Sequence, residues 1–201
     1  MTEADLVEAL HGFLDRAYPG IEIRAEPFAD DPSRTALSFR HDLFAGLYPL
    51  QRYHYLVHHI PRDFFDRHLA RTVWFELAPG ESPEDLRYPD PELVEEIAPD
   101  VMRVLQGSGF LRALDLAFCP DPPALPARCH GDFRVSRALL LEHGFAPDDD
   151  FDVFHVLMAR GAYCDCEILY NAMEDSRLKA RYWEARAKGQ LPPDPHAGRE
   201  I

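Results

Sequence analysis

Basic residues are scarce in this chain: 21 Lys and Arg stand against 35 Asp and Glu, for a formal net charge of -14 and a pI near 5.0. Such a field repels phosphate backbones and anionic lipid surfaces, so nucleic acid and membranes are disfavoured partners. Lysine is reduced to Lys179 and Lys188, a bias toward arginine without functional content. No segment approaches the length of a membrane span, and the acidic start Met1-Thr2-Glu3-Ala4-Asp5 lacks the basic flank and apolar run of a signal peptide. A cytoplasmic protein is the expectation. Cysteine is sparse too, at Cys119, Cys129, Cys164 and Cys166. In a reducing compartment a close pair of thiols reads as a metal or redox site rather than a structural disulfide. The sequence also lacks a Gly-rich phosphate loop, a G-x-S-x-G elbow and a papain-like cysteine context, which removes the common nucleotide-dependent and triad enzymes.

What is present suffices for one sizeable core or two small ones: 201 residues, 46% of them hydrophobic. Leu6, Leu10, Phe13, Leu14 and Ala17 follow helical spacing behind a Thr2/Asp5 capping box, predicting a helix over 3–17. Alternation predicts strands at 21–25, 35–40 and 73–77, the first two joined by an Asp/Pro turn at 30–33. Between them, 48–59 and a segment opened by Pro61 read as helices. Asp90-Pro91 starts a further helix, with Pro99 expected to kink or split it, and Pro120–Pro126 reads as a linker. Apolar runs at 135–141, 151–158 and 166–173, then a helix at 174–188, are punctuated by Gly144, Gly161 and Gly189 at helix-stop positions.

The order over residues 3–78, with Leu43-Phe44-Ala45-Gly46 leading into Arg52-Tyr53-His54 and Pro79-Gly80-Glu81 after the third strand, resembles the BolA family. That resemblance implies an α+β fold, a BolA-like α-β-β-α-α-β module followed here by a small helical module. The expected division is 1–90 for the α+β module, 91–118 for a connecting helix, 119–127 for a proline-rich linker, 128–190 for a Cys/His module and 191–201 for a disordered tail. The resemblance also implies a glutaredoxin-type protein partner and a shared iron-sulfur cluster. The family's ligating histidine at the start of the third strand is replaced by Val73, and residues 26–34 contain neither His nor Cys. His54 and His58 stand four apart on a predicted helix and could face one metal with Asp63 or Asp66; a polar helix face is the plainer reading.

The stretch Gly161-Ala162-Tyr163-Cys164-Asp165-Cys166-Glu167-Ile168-Leu169-Tyr170-Asn171 resembles the hallmark of an uncharacterised bacterial domain family with the pattern G-[GA]-Y-C-D-C-E-[VI]-L-x-N. Cys129-His130-Gly131-Asp132-Phe133 is similar to that family's upstream segment, and the likeness spans about 128–173. It implies no activity. From the residues themselves three readings stay open: a zinc-type (Zn2+) site at Cys129, His130, Cys164 and Cys166, with His143, His155 or water as other fourth ligands; a redox or nucleophilic Cys164/Cys166 dithiol; or buried cysteines with Asp165 capping a helix at 166–173. Asp165 and Glu167 oppose the dithiol by raising thiol pKa. A binding protein is expected over an enzyme.

Overall fold

The structure is a computed structural model that describes residues 1–190, and the expected disordered tail at 191–201 lies outside the described residues. The chain is α+β and divides into two compact units between Tyr88 and Pro89.

In the first unit, helix α1 (Glu3–Leu14) starts with the predicted box: Asp5 N–H donates to Thr2 Oγ1 at 3.2 Å and Thr2 N–H to Asp5 Oδ2 at 2.8 Å. Its Leu6, Leu10 and Leu14 lie on one face and are buried. Strands β1 (Glu22–Phe28) and β2 (Asp31–Arg40) form an antiparallel hairpin with Ile23 opposite Phe39 and Ala25 opposite Leu37. The turn is tighter than the sequence suggests, because Phe28 already pairs with Asp31 and the Asp31-Pro32-Ser33 run lies inside β2.

Strand β3 (Val73–Leu77) lies parallel to β2, giving the order β1-β2-β3. Parallel neighbours need a crossover. It is supplied by α2 (Pro49–His58) and by α3 (Arg62–Phe64), which continues as a π turn through Phe65–Leu69. Leu37, Phe39, Leu56 and Leu69 meet α1 in a core from which water is excluded.

The predicted α-β-β-α-α-β order is therefore present. Its polar spine has no local signal in the sequence. Arg52, in the first turn of α2, is 4% exposed and donates to Leu47 O, Glu76 O and both carboxylate oxygens of Glu81. Glu81 Oε2 in turn accepts Ala78 N–H at 2.8 Å, so the Pro79-Gly80-Glu81 turn is clamped to α2.

In the second unit, Asp90 caps α4 (Pro91–Gly107) by accepting Glu92 N–H at 2.9 Å. The helix runs unbroken through Pro99, so the proline does not split it. A helical proline removes one N–H bond, and here the buried Val94, Met102 and Leu105 hold turns on both sides of it. The break falls instead at Gly109, whose φ of 82° is left-handed, and α5 (Phe110–Phe118) follows.

The remaining helices are α6 (Arg134–Glu142), α7 (Asp149–Ala159), α8 (Asp165–Glu167), which continues as a π turn over Ile168–Ala172, and α9 (Arg177–Ala187). Helix α4 packs on α7 and α5 on α6, so the segment 91–118, read as a connector, is part of this unit's core. The proline-rich segment folds back on α5 through Ala127 N–H to Ala117 O at 2.8 Å. Buried Asp115 on α5 accepts Arg177 N–H at 2.9 Å and Ser176 O–H at 3.2 Å, fixing the start of α9.

Candidate metal centre

The site is assembled by two turns. Helix α7 ends at Gly161, whose φ of 81° suits glycine, and the Asn171 side-chain amide donates to Gly161 O at 2.6 Å. Glu167 Oε2 accepts Tyr163 N–H at 2.7 Å, closing the turn that carries Cys164. Cys164 is extended (φ -155°, ψ 170°), and α8 begins at the next residue.

The second turn is 129–133, with Gly131 at φ 79°. Phe133 anchors it by stacking on Phe154 of α7, ring centroids 4.3 Å apart and planes 8° from parallel.

Asp165 joins the two. Its N–H donates to Asp132 O at 3.0 Å, while its carboxylate accepts Val135 N–H at 3.1 Å and Ser136 N–H at 2.9 Å at the start of α6. Four N–H groups at a helix start lack intrahelical partners, so an aspartate from another segment satisfies two of them. The expectation that Asp165 caps its own helix is corrected accordingly. Asp165 is fully buried, and desolvation holds its carboxyl up at about 6 despite the amide bonds.

With Asp165 docked on α6, the flanking cysteines meet Cys129. The three sulfurs lie within 4.8 Å of one another, and Cys164 Sγ is 3.4 Å from Cys166 Sγ. All three are free thiols, with Cys129 6% exposed and the other two fully buried. Burial pushes the Cys164 thiol far above its ordinary value, and hydrogen bonding to Cys129 followed by burial does the same to Cys166.

Sulfurs about 2.3 Å from one tetrahedral zinc lie about 3.8 Å apart, a set reachable here by small side-chain adjustments. Thiolate donors suit zinc and other soft ions. The residues thus fit such an ion as a three-sulfur set. His130 is exposed and outside the set. His143 and His155 are outside it too, their Nδ1 atoms lying 2.9 Å from Ser108 O and 2.6 Å from Phe151 O. Cys119 is buried at the end of α5, also apart from the cluster.

The other candidate does not assemble. His54 and His58 lie with ring centroids 4.4 Å apart and planes tilted by 53°, but Asp63 is bound to Arg67 and Asp66 to Arg62. The cysteine trio is the metal-type grouping found among the described residues. Of the buried groups that shape the structure, Asp165's docking on α6 and the Arg52/Glu81 clamp are not legible in the sequence. Their partners lie some thirty residues away in the chain, and no local spacing signals such pairs.

Residues 123–171 match a family described as "Protein of unknown function (DUF2695)". No curated protein and no solved structure matches the chain. The matched segment contains Cys129, Asp132, Cys164, Asp165, Cys166 and Asn171, so both turns and their junction fall inside it. It does not reach residues 1–90, and the comparisons give no support to BolA kinship; the first unit's element order is an architectural fact alone. Among the described residues no helix is long and apolar enough to cross a membrane.

Proposed function

We propose that the DUF2695 segment is a metal-binding module in which Cys129, Cys164 and Cys166 hold one zinc-type ion, and that the protein acts through binding or regulation rather than catalysis. The observation that supports this most is the convergence of three buried sulfurs from two separate turns within 4.8 Å. A bound divalent ion deprotonates a coordinating thiol outright, which overrides the burial that keeps these thiols protonated. In this role Cys129 ties the 129–133 turn, Cys164 and Cys166 tie the start of α8, and Asp165 keeps the two in register. The fourth position falls to solvent or an added ligand.

The dithiol reading loses ground for a physical reason. A redox or nucleophilic cysteine needs an accessible thiolate. Cys164 and Cys166 are fully buried with raised thiol pKa values. An iron-sulfur partnership through the first unit has no visible ligand either, since Val73 opens β3 and the β1–β2 connection holds no His or Cys. A glutaredoxin-type partner is accordingly left out of the proposal.

Elemental analysis of freshly purified protein tests it: about one zinc-type ion per chain is expected, lost in Cys129→Ser, Cys164→Ser and Cys166→Ser and retained in Cys119→Ser and His130→Ala. Metal content unaffected by the three serine variants would overturn the assignment.

A further inference from the structure

We infer that the same three thiols form a receptor for a trivalent thiophilic metalloid hydroxide, of which arsenite is the simplest. The inference rests on Cys129, Cys164 and Cys166 acting as one ligand set, and it goes beyond the zinc reading in the class of species bound. The set has three donors, and no His, Asp or Glu among the described residues joins it as a fourth. A closed structural zinc site takes four protein ligands, whereas a trivalent pyramidal centre is complete with three sulfurs.

Charge points the same way. Three thiolates on a divalent ion leave one negative charge, in a place where Cys164, Asp165 and Cys166 are fully buried. Burying uncompensated charge is costly. Three thiolates on a trivalent centre leave none. The acidic flanks Asp165 and Glu167 add to the preference for a neutral product.

One of the three sulfur spacings agrees as well, in a set whose members lie within 4.8 Å of one another. The 3.4 Å between Cys164 Sγ and Cys166 Sγ is shorter than the about 3.8 Å edge of a tetrahedral zinc-sulfur site. A pyramidal centre has narrower bond angles and draws its sulfurs closer.

The binding step balances without any further reagent. Three As–O bonds of arsenous acid break and three As–S bonds form. Each thiol proton leaves on a departing hydroxide as water, so one As(OH)3 and three thiols give one As(SR)3 and three waters with no change of oxidation state. Zinc entering the same thiols must release three protons to solvent. From the zinc-loaded site the exchange takes up three protons and releases Zn2+.

The test is native mass spectrometry of the full chain, metal-free and zinc-loaded, titrated with sodium arsenite alongside zinc alone. The expected result is one adduct per chain whose mass equals one arsenic less three hydrogens, with zinc expelled from the loaded sample. Cys119→Ser should form that adduct unchanged, and each of Cys129→Ser, Cys164→Ser and Cys166→Ser should lose it. Circular dichroism identifies any variant that fails to fold, and the wild-type mass increment decides independently of them. An adduct that has lost two hydrogens, an adduct dependent on Cys119, or none at all overturns the inference. Zinc bound at the three cysteines without an arsenic adduct would sink this inference alone, whereas the arsenic adduct without zinc binding would sink the zinc reading alone.

Discussion

Asp165 sits between two cysteines, yet its side chain serves a different helix. Replacing it with alanine leaves Val135 and Ser136 N–H without acceptors at the start of α6. Each such loss costs about 1–2 kcal/mol, so Asp165→Ala should lower the stability of the second unit by about 2–3 kcal/mol in urea unfolding and weaken metal retention. Arg52 makes the corresponding test in the first unit. Arg52→Ala removes both bonds to Glu81, and with Glu81 one-third exposed the expected cost is about 2–3 kcal/mol. Arg52→Lys should recover only part of it, because an ammonium cannot reproduce the forked contact.

Glu76 offers a pH test. It is 1% exposed, and desolvation raises its carboxyl to about 7, with Tyr88 O–H donating to Oε2 at 3.3 Å. The folded state therefore keeps a proton that the unfolded chain releases near its ordinary value of 4.5. Stability should fall as pH rises from about 4.5 to about 7, by about 3 kcal/mol in all. Glu76→Gln should flatten that slope and exceed wild type in urea midpoint at pH 8 but not at pH 4. An equal slope in both proteins would contradict the burial argument.

At the scale of elements, glycine positions separate by geometry. Gly161 (φ 81°) and Gly109 (φ 82°) end helices in the left-handed region, so alanine at either should cost about 1–2 kcal/mol, and Gly161→Ala should also disturb the turn that carries Cys164. Gly12 is helical, and a methyl group added there would meet nothing within 4 Å, so Gly12→Ala should stabilise α1 by about 0.5–1 kcal/mol. Thermal midpoints of the three variants check the ordering. These elements are legible in the sequence because their signals are local: a cap at Thr2, alternation in β1 and β2, glycine after α6, α7 and α9. Pro99 does not split α4 because a single proline is a local penalty, and buried neighbours on both sides of it outweigh that penalty. The cysteines are visible as a grouping, but only the fold decides which are joined. His130 is drawn in by adjacency to Cys129, but it is exposed and outside the sulfur set.

For the molecule as a whole, the net charge of -14 leaves no general attraction to phosphate, and two units divided at Tyr88 and Pro89 provide separate cores. The matched segment 123–171 lies within the second unit alone. If a metal ties its two turns, removing the metal should loosen that unit and leave the first intact. Hydrogen exchange on metal-loaded protein, before and after chelation, measures this directly. The amides of Val135, Ser136 and Asp165 should exchange much faster once the chelator has taken the metal, with β1–β3 unchanged. Unaltered protection at those three amides after the metal is gone would contradict a structural metal at Cys129, Cys164 and Cys166.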